Sequence, residues 1–239
     1  MTSRHQVAVT LPWMRLGTAH LLACTGMLTD DQFQEPSGLP GWRRAHVVGH
    51  VCRNAEALTR LATWARTGVE NPMYTRPEQR AADIEAAAGQ PAAILRSEVA
   101  ATATALDDAL AMLDVDDWTA TVRSAQGREI PAAEIPWMRI REVWIHAVDL
   151  GAGAALDDVP GGVIDLLLDD VSSVLSAREN CPAVVLRPSD RDREWCLCPT
   201  RTGKMTSITA SAADLAGWLT GRVAGSALPG QVPVLPRWL

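Results

Sequence analysis

Apolar residues recur at helical spacing in four long segments of the chain. The segments cover residues 10–29, 42–66, 78–113 and 131–151, and the third is interrupted at Gly89-Gln90-Pro91. Gly68 follows the second segment and suits the end of a helix. Residues 114–131 lack this period and are expected to contain short extended pieces. Four amphipathic helices with modest connections predict a four-helix bundle.

The pattern changes after Gly151-Ala152-Gly153. One helix is predicted over residues 160–178 and a closing helix over residues 212–221. Between them, three short apolar runs predict strands at residues 183–188, 194–198 and 207–210. The predicted fold class is therefore α+β. A helical-bundle domain is expected at residues 1–152, and a small α/β domain with an antiparallel sheet at residues 153–239.

Composition and charge narrow the class of protein. The chain has 239 residues, of which 47% are hydrophobic, and a formal net charge of −6. That charge argues against a general binder of nucleic acid or of anionic membranes. No run of about 18 apolar residues is present, and the first residues lack the apolar core of a signal peptide. We therefore expect a cytoplasmic protein. A monomer is the expected state, although the sequence does not set the oligomeric state.

Five cysteines are present, an odd number without a C-x-x-C spacing. This pattern indicates neither a disulfide framework nor a zinc knuckle. Free cysteines usually behave as small buried hydrophobic residues, and that role is expected for each of them.

A carboxylate and several imidazoles are the candidates for chemistry. Glu142 and His146 are four residues apart, so they share one face of the fourth predicted helix. His50 lies in an apolar run of the second. Two histidines and one carboxylate would make a metal site with an open position, as in catalytic zinc sites. The same side chains could instead form ordinary hydrogen bonds or salt bridges. His46 competes with His50 as the ligand.

Asp149 could orient His146 or His50 as a hydrogen-bond acceptor. Solvation of the helix end is an equally good explanation of this residue.

Longer stretches of the chain resemble the mycothiol-dependent maleylpyruvate isomerase family. They comprise residues 41–55, 72–74, 125–128, 137–151, the pair Gly221-Arg222 and the terminal Pro236-Arg237-Trp238-Leu239. The resemblance implies a DinB-like four-helix bundle followed by a small sterol-carrier-protein-like α/β domain. It also implies that a divalent metal, normally zinc, is held by His50, Glu142 and His146. His46 has a counterpart in the family but is not its usual ligand.

The resemblance further implies the reaction. Mycothiol is the thiol cofactor, and its thiolate adds to the cis double bond of maleylpyruvate. The adduct rotates about the new single bond and expels the thiolate, which leaves fumarylpyruvate, the trans isomer, in gentisate breakdown. The small molecule and mycothiol are then the only expected partners.

Arginines are the expected partners of a substrate with two carboxylates. The resemblance implies a catalytic role for Arg222, although an arginine after a helix-ending glycine can simply be solvated. Arg80, Arg128 and Arg139 are weaker candidates. His20 also has a family counterpart, but a role as a hydrogen-bonded core residue suits it better.

Two other functions stay open at this point. The chain could be a mycothiol S-transferase acting on another electrophile, since the same ligands would serve. It could also be a non-catalytic metal-binding protein, in which His46 closes the fourth coordination position.

Overall fold

The computed structural model describes residues 3–199 and 205–238. Its internal contacts divide the chain into two units, Met1–Ala154 and Ala155–Leu239. The C-terminal Leu239, which ends the last of the family-like stretches, lies outside the described residues. Within the described residues, no helix combines the length and the apolar character needed to cross a membrane.

Five α-helices form the part of the first unit that the structure describes. They are α1 (Val7–Met27), α2 (Arg44–Thr67), α3 (Pro77–Ala88), α4 (Ala92–Ala111) and α5 (Ile135–Asp149). The third predicted helix is thus two helices, because Gly89-Gln90-Pro91 breaks it where the sequence predicted an interruption. Helix α2 ends at Gly68, whose φ of 70° is the left-handed conformation that glycine adopts without strain.

The bundle consists of α1, α2, α4 and α5, and this part of the predicted fold is confirmed. Helix α2 packs against α4 and α5, α1 packs against α5 and α4, and α3 covers one side of α2. Gly17 lets α1 approach α5 closely, since a Cβ there would lie 2.5 Å from Nε1 of Trp144. The packed faces therefore fix the relative positions of α2 and α5.

A short hairpin connects α4 to α5. Its strands are β1 (Thr121–Arg123) and β2 (Glu129–Pro131), and they pair in antiparallel fashion. These are the short extended pieces that were expected in an otherwise irregular segment.

The described residues of the second unit contain two α-helices and a three-stranded sheet. The elements are α6 (Gly161–Ser176), β3 (Val184–Pro188), β4 (Trp195–Leu197), β5 (Thr206–Ala210) and α7 (Ala212–Thr220). The strand order is β4-β3-β5. Strand β3 pairs with β4 in antiparallel fashion, as predicted. It pairs with β5 in parallel fashion, so the sheet is mixed. The predicted antiparallel arrangement does not extend to β5, because β5 lies beside β3 rather than beside β4.

Candidate metal centre

Three potential metal ligands meet between α2 and α5. The Nε2 atom of His50 lies 2.7 Å from Oε2 of Glu142, and Nε2 of His146 lies 3.2 Å from the same oxygen. One ligand atom from each side chain lies within 4.8 Å of the other two. The side chains of Glu142 and His146 are 13% to 25% exposed, so the cluster is partly open to solvent.

A buried arginine joins the two helices that carry the cluster. The Nη1 atom of Arg139 donates to the Val51 carbonyl at 2.8 Å and to Oδ1 of Asn54 at 2.9 Å. Burial lowers the pKa of this guanidinium to about 10. Arg139 lies one turn before Glu142, and Val51 directly follows His50. Its bonds therefore help to hold the two ligand-bearing segments together, and Arg139 does not take the substrate-binding role considered for it.

His146 is oriented by its other ring nitrogen. Nδ1 lies 2.8 Å from Oδ2 of Asp149, which is almost fully buried. A carboxylate accepts, so Nδ1 carries a hydrogen and Nε2 is directed at Glu142. This is the arrangement in which an outer carboxylate sets the tautomer of a metal-binding histidine. Of the two roles considered for Asp149, the structure favours this one.

His50 has a different neighbour at its second nitrogen. Its Nδ1 atom lies 3.2 Å from Nη2 of Arg80, a guanidinium that can only donate. Trp42 meets the imidazole edge to face, with ring centroids 5.7 Å apart. Burial is the largest influence on His50 and lowers its pKa, against the opposing charge of Glu142. Burial thus favours the neutral ring, which is the form in which imidazole binds a metal.

The carboxylate between the rings is held ionised. Burial by itself raises the pKa of Glu142, but the charge of His50 and hydrogen bonds from both imidazoles outweigh it and hold the pKa well below its usual range. Burial likewise lowers the pKa of His146, yet the bonds to Asp149 and Glu142 raise it overall. The site thus holds an anionic oxygen between two nitrogen ligands.

His46 is occupied elsewhere. Its Nδ1 atom accepts the backbone N–H of Arg43 at 3.2 Å, and Nε2 lies 3.3 Å from Oε2 of Glu85. It caps the first turn of α2 and is not in the cluster that His50 joins. This capping role accounts for the histidine four residues before His50, so metal binding is not needed to explain it.

The remaining candidates have contacts of their own. His20 stacks on Trp144 with ring centroids 5.1 Å apart. Arg128 is exposed at the hairpin between β1 and β2. Arg222 follows α7 in the second unit, where Nη1 donates to the Thr220 carbonyl at 2.6 Å.

The sequence did not single out Tyr74, the only tyrosine of the chain. Burial raises the pKa of its phenol, while the charge of Arg80 and a hydrogen bond from it act in the opposite direction. Its place in a family-like stretch was the available signal, but nothing in the sequence paired it with Arg80.

The residues present fit a divalent metal. Two imidazole nitrogens and one carboxylate oxygen are the donor set of catalytic zinc sites, which keep a fourth position open. His146 is already oriented for such a role, and Glu142 supplies the negative charge. Among the described residues, this is the one group of three potential ligands that could hold an ion.

The fold and this cluster define a helical-bundle protein in which two helices carry three side chains that could hold a metal ion. The family model described as the mycothiol maleylpyruvate isomerase N-terminal domain matches residues 14–151, and the chain belongs to that family. Two solved structures also match over 100% of both chains with a TM-score of 0.92. One is a crystal structure of the mycothiol-dependent maleylpyruvate isomerase, at 35% identity. The other is its histidine-to-alanine mutant, at 34% identity. None of the curated proteins compared matches the chain.

Proposed function

We propose that this protein is a mycothiol-dependent isomerase that converts maleylpyruvate to fumarylpyruvate. The observation that carries the proposal is the three-ligand cluster within a fold that matches the enzyme over its whole length. The proposed setting is gentisate breakdown in the cytoplasm. The S-transferase reaction uses the same ligands, but the similarity along both chains favours the isomerase.

The proposed ligands are His50, Glu142 and His146, and the proposed ion is zinc. Zinc bound there would supply a Lewis acid that favours the thiolate form of an incoming thiol. With one carboxylate ligand, the formal charge of the site would be about +1, which suits an anionic sulfur and an anionic substrate. The chain contributes the orientation of His146 through Asp149 and keeps His50 neutral through burial.

The nucleophilic thiol is proposed to come from mycothiol rather than from the chain. Cys52, the cysteine nearest His50 in sequence, is completely buried. Burial raises the pKa of its thiol to about 12, so it stays protonated at neutral pH. Cys52 therefore offers neither an accessible nor an ionised thiol.

Arg222 is proposed as the catalytic arginine that binds a carboxylate of the substrate. Its position after Gly221 matches the family stretch, and a guanidinium can bind a carboxylate through two parallel hydrogen bonds. The side chain is half-buried and bonded to the end of α7. Because its conformations are already restricted, it would lose little conformational entropy when it binds a carboxylate.

The decisive experiment follows the absorbance of maleylpyruvate with zinc-loaded and chelator-treated protein, each with and without mycothiol. The proposal requires loss of maleylpyruvate only when both zinc and mycothiol are present, with mycothiol regenerated. Consumption of mycothiol in step with the electrophile would identify an S-transferase. Zinc binding without any turnover would identify a metal-binding protein and overturn the proposal.

A further inference from the structure

The two histidines of the metal centre differ in what their second nitrogen meets. Nδ1 of His146 faces an acceptor, Asp149, whereas Nδ1 of His50 faces a donor, Arg80. A neutral imidazole has one N–H and one lone pair. In His50 the lone pair therefore lies on Nδ1, and the hydrogen lies on Nε2, which donates to Glu142.

A metal ion on Nε2 of His50 requires the opposite arrangement. Nε2 must then offer its lone pair, so the ring hydrogen moves to Nδ1. The Nδ1–H group would point at Nη2 of Arg80, which is only 3.2 Å away and is itself a donor. Two donors cannot share that distance without repulsion. Metal binding and the bond between Arg80 and His50 therefore exclude each other.

Arg80 has a second neighbour near the centre. Its guanidinium is close enough to the Tyr74 phenol to oppose the rise in the pKa of that phenol that burial causes, and both side chains are half-buried. A guanidinium released from His50 would thus remain beside the metal, with N–H groups to satisfy. A carboxylate satisfies such a group with two parallel bonds.

We propose that metal binding releases Arg80 from His50 and that the released guanidinium, beside Tyr74, binds a carboxylate of the substrate. This deepens the proposed function and rests on it for the identity of the substrate as a dicarboxylate. Arg80 is then a binding residue that becomes available only in the metal-loaded protein. The opposing explanation is that Arg80 supports His50 as a metal ligand.

Nuclear magnetic resonance of ¹⁵N-histidine tests the first step, because the chain has only five histidines to assign. Long-range ¹H–¹⁵N spectra distinguish the Nε2–H from the Nδ1–H form of each ring. We expect His50 to be Nε2–H without metal and Nδ1–H with zinc, and His146 to keep its hydrogen on Nδ1 in both. An Nδ1–H form of His50 without metal would overturn the proposal.

The affinity for zinc distinguishes the two explanations, in which Arg80 either is released from His50 on metal binding or supports His50 as a metal ligand. In Arg80→Met the competing donor is gone, so we expect zinc to bind about fivefold more tightly, the effect of one hydrogen bond. A chelator competition gives this affinity without any assay of activity. Arg15→Met is the matched control, because Arg15 pairs with Asp107 on the surface and its loss should leave zinc affinity unchanged. Weaker zinc binding by Arg80→Met would mean that Arg80 supports His50.

Titration with heptanedioate, a saturated dicarboxylate that cannot react, tests the second step. Zinc-loaded wild-type protein should bind it at least about tenfold more tightly than zinc-loaded Arg80→Met, with Arg80→Lys between them. Equal binding by wild type and Arg80→Met would overturn the carboxylate role.

These results are separable from the proposed function. Absence of isomerase activity together with the expected histidine forms and affinities would remove the isomerase and keep the role of Arg80. Normal activity with an Nδ1–H form of His50 in the absence of metal would keep the isomerase function and remove the proposed role of Arg80.

Discussion

The Nδ1 atom of His146 lies 2.8 Å from Oδ2 of Asp149, one turn further along α5. Asp149 sets the tautomer of the imidazole without being in the three-ligand cluster itself. Such outer carboxylates typically change metal affinity by about 10- to 100-fold. We therefore expect the loss of Asp149 to change metal affinity before it changes any other property of the protein.

Asp149→Ala should therefore weaken zinc binding by about 10- to 100-fold and leave the helical content unchanged. Chelator competition measures the affinity, and circular dichroism checks the fold. Asp108→Ala, at an exposed position of α4, is the control. If both variants bound zinc like the wild type, Asp149 would not orient a ligand.

Replacing each of the competing histidines should have opposite consequences. His50→Ala should lose most of its zinc and nearly all activity, because a site of three protein ligands is reduced to two. His46→Ala should keep its zinc but lose about 1 kcal/mol of unfolding free energy, as expected for a lost helix cap. Metal analysis and denaturant unfolding of the two purified variants give the comparison. Full zinc retention in His50→Ala would remove His50 from the ligand set.

The cysteines should be dispensable for turnover. Cys52→Ser should stay active with mycothiol, although a hydroxyl in a fully buried place should reduce stability. In the wild type, a pKa of about 12 leaves about one Cys52 thiol in ten thousand ionised at pH 8. Iodoacetamide should accordingly modify Cys196 long before Cys52, as peptide mass mapping can show. Loss of all turnover in Cys52→Ser with zinc still bound would make a protein thiol the nucleophile.

Arg222→Ala should keep its zinc and its fold, and its kcat/KM should fall at least about a hundredfold. That is the scale of one charge-assisted hydrogen bond worth roughly 3 kcal/mol. Arg222→Lys should recover only part of the loss, because lysine lacks the planar fork. Arg187→Ala, which removes an exposed arginine paired with Glu194 in the same unit, is the control. Steady-state kinetics within about twofold of wild type for Arg222→Ala would leave this arginine a structural role only.

The helical unit was predictable because its signals are local. The 3.6-residue period placed the long helices, and Pro91 marked the break between α3 and α4. The position of β5 was not predictable in this way. Alternation indicates which side chains of a strand face the core, but it does not choose the neighbouring strand. Because β3 lies between β4 and β5, two strands that run in the same direction became adjacent.

The same limit applies to the candidate site. The four-residue spacing placed Glu142 and His146 on one face of a helix, but it left His46 and His50 as alternatives. The contacts that distinguish these two come from Glu85 and Arg80 on α3, a helix whose approach to α2 has no local signal. Family resemblance preferred His50, and the bonds of His46 supply a physical reason.

His50 and Glu142 are 92 positions apart in the chain. An ion bound to both would close a loop of that length, and the entropy cost of closing a loop rises only slowly with its size. The ion would therefore act as a reversible cross-link between the second and the last helix of the bundle. Unlike a disulfide, its strength would follow the concentration of free metal and disappear with a chelator. The free energy of unfolding of the protein would then depend on the concentration of free metal around it.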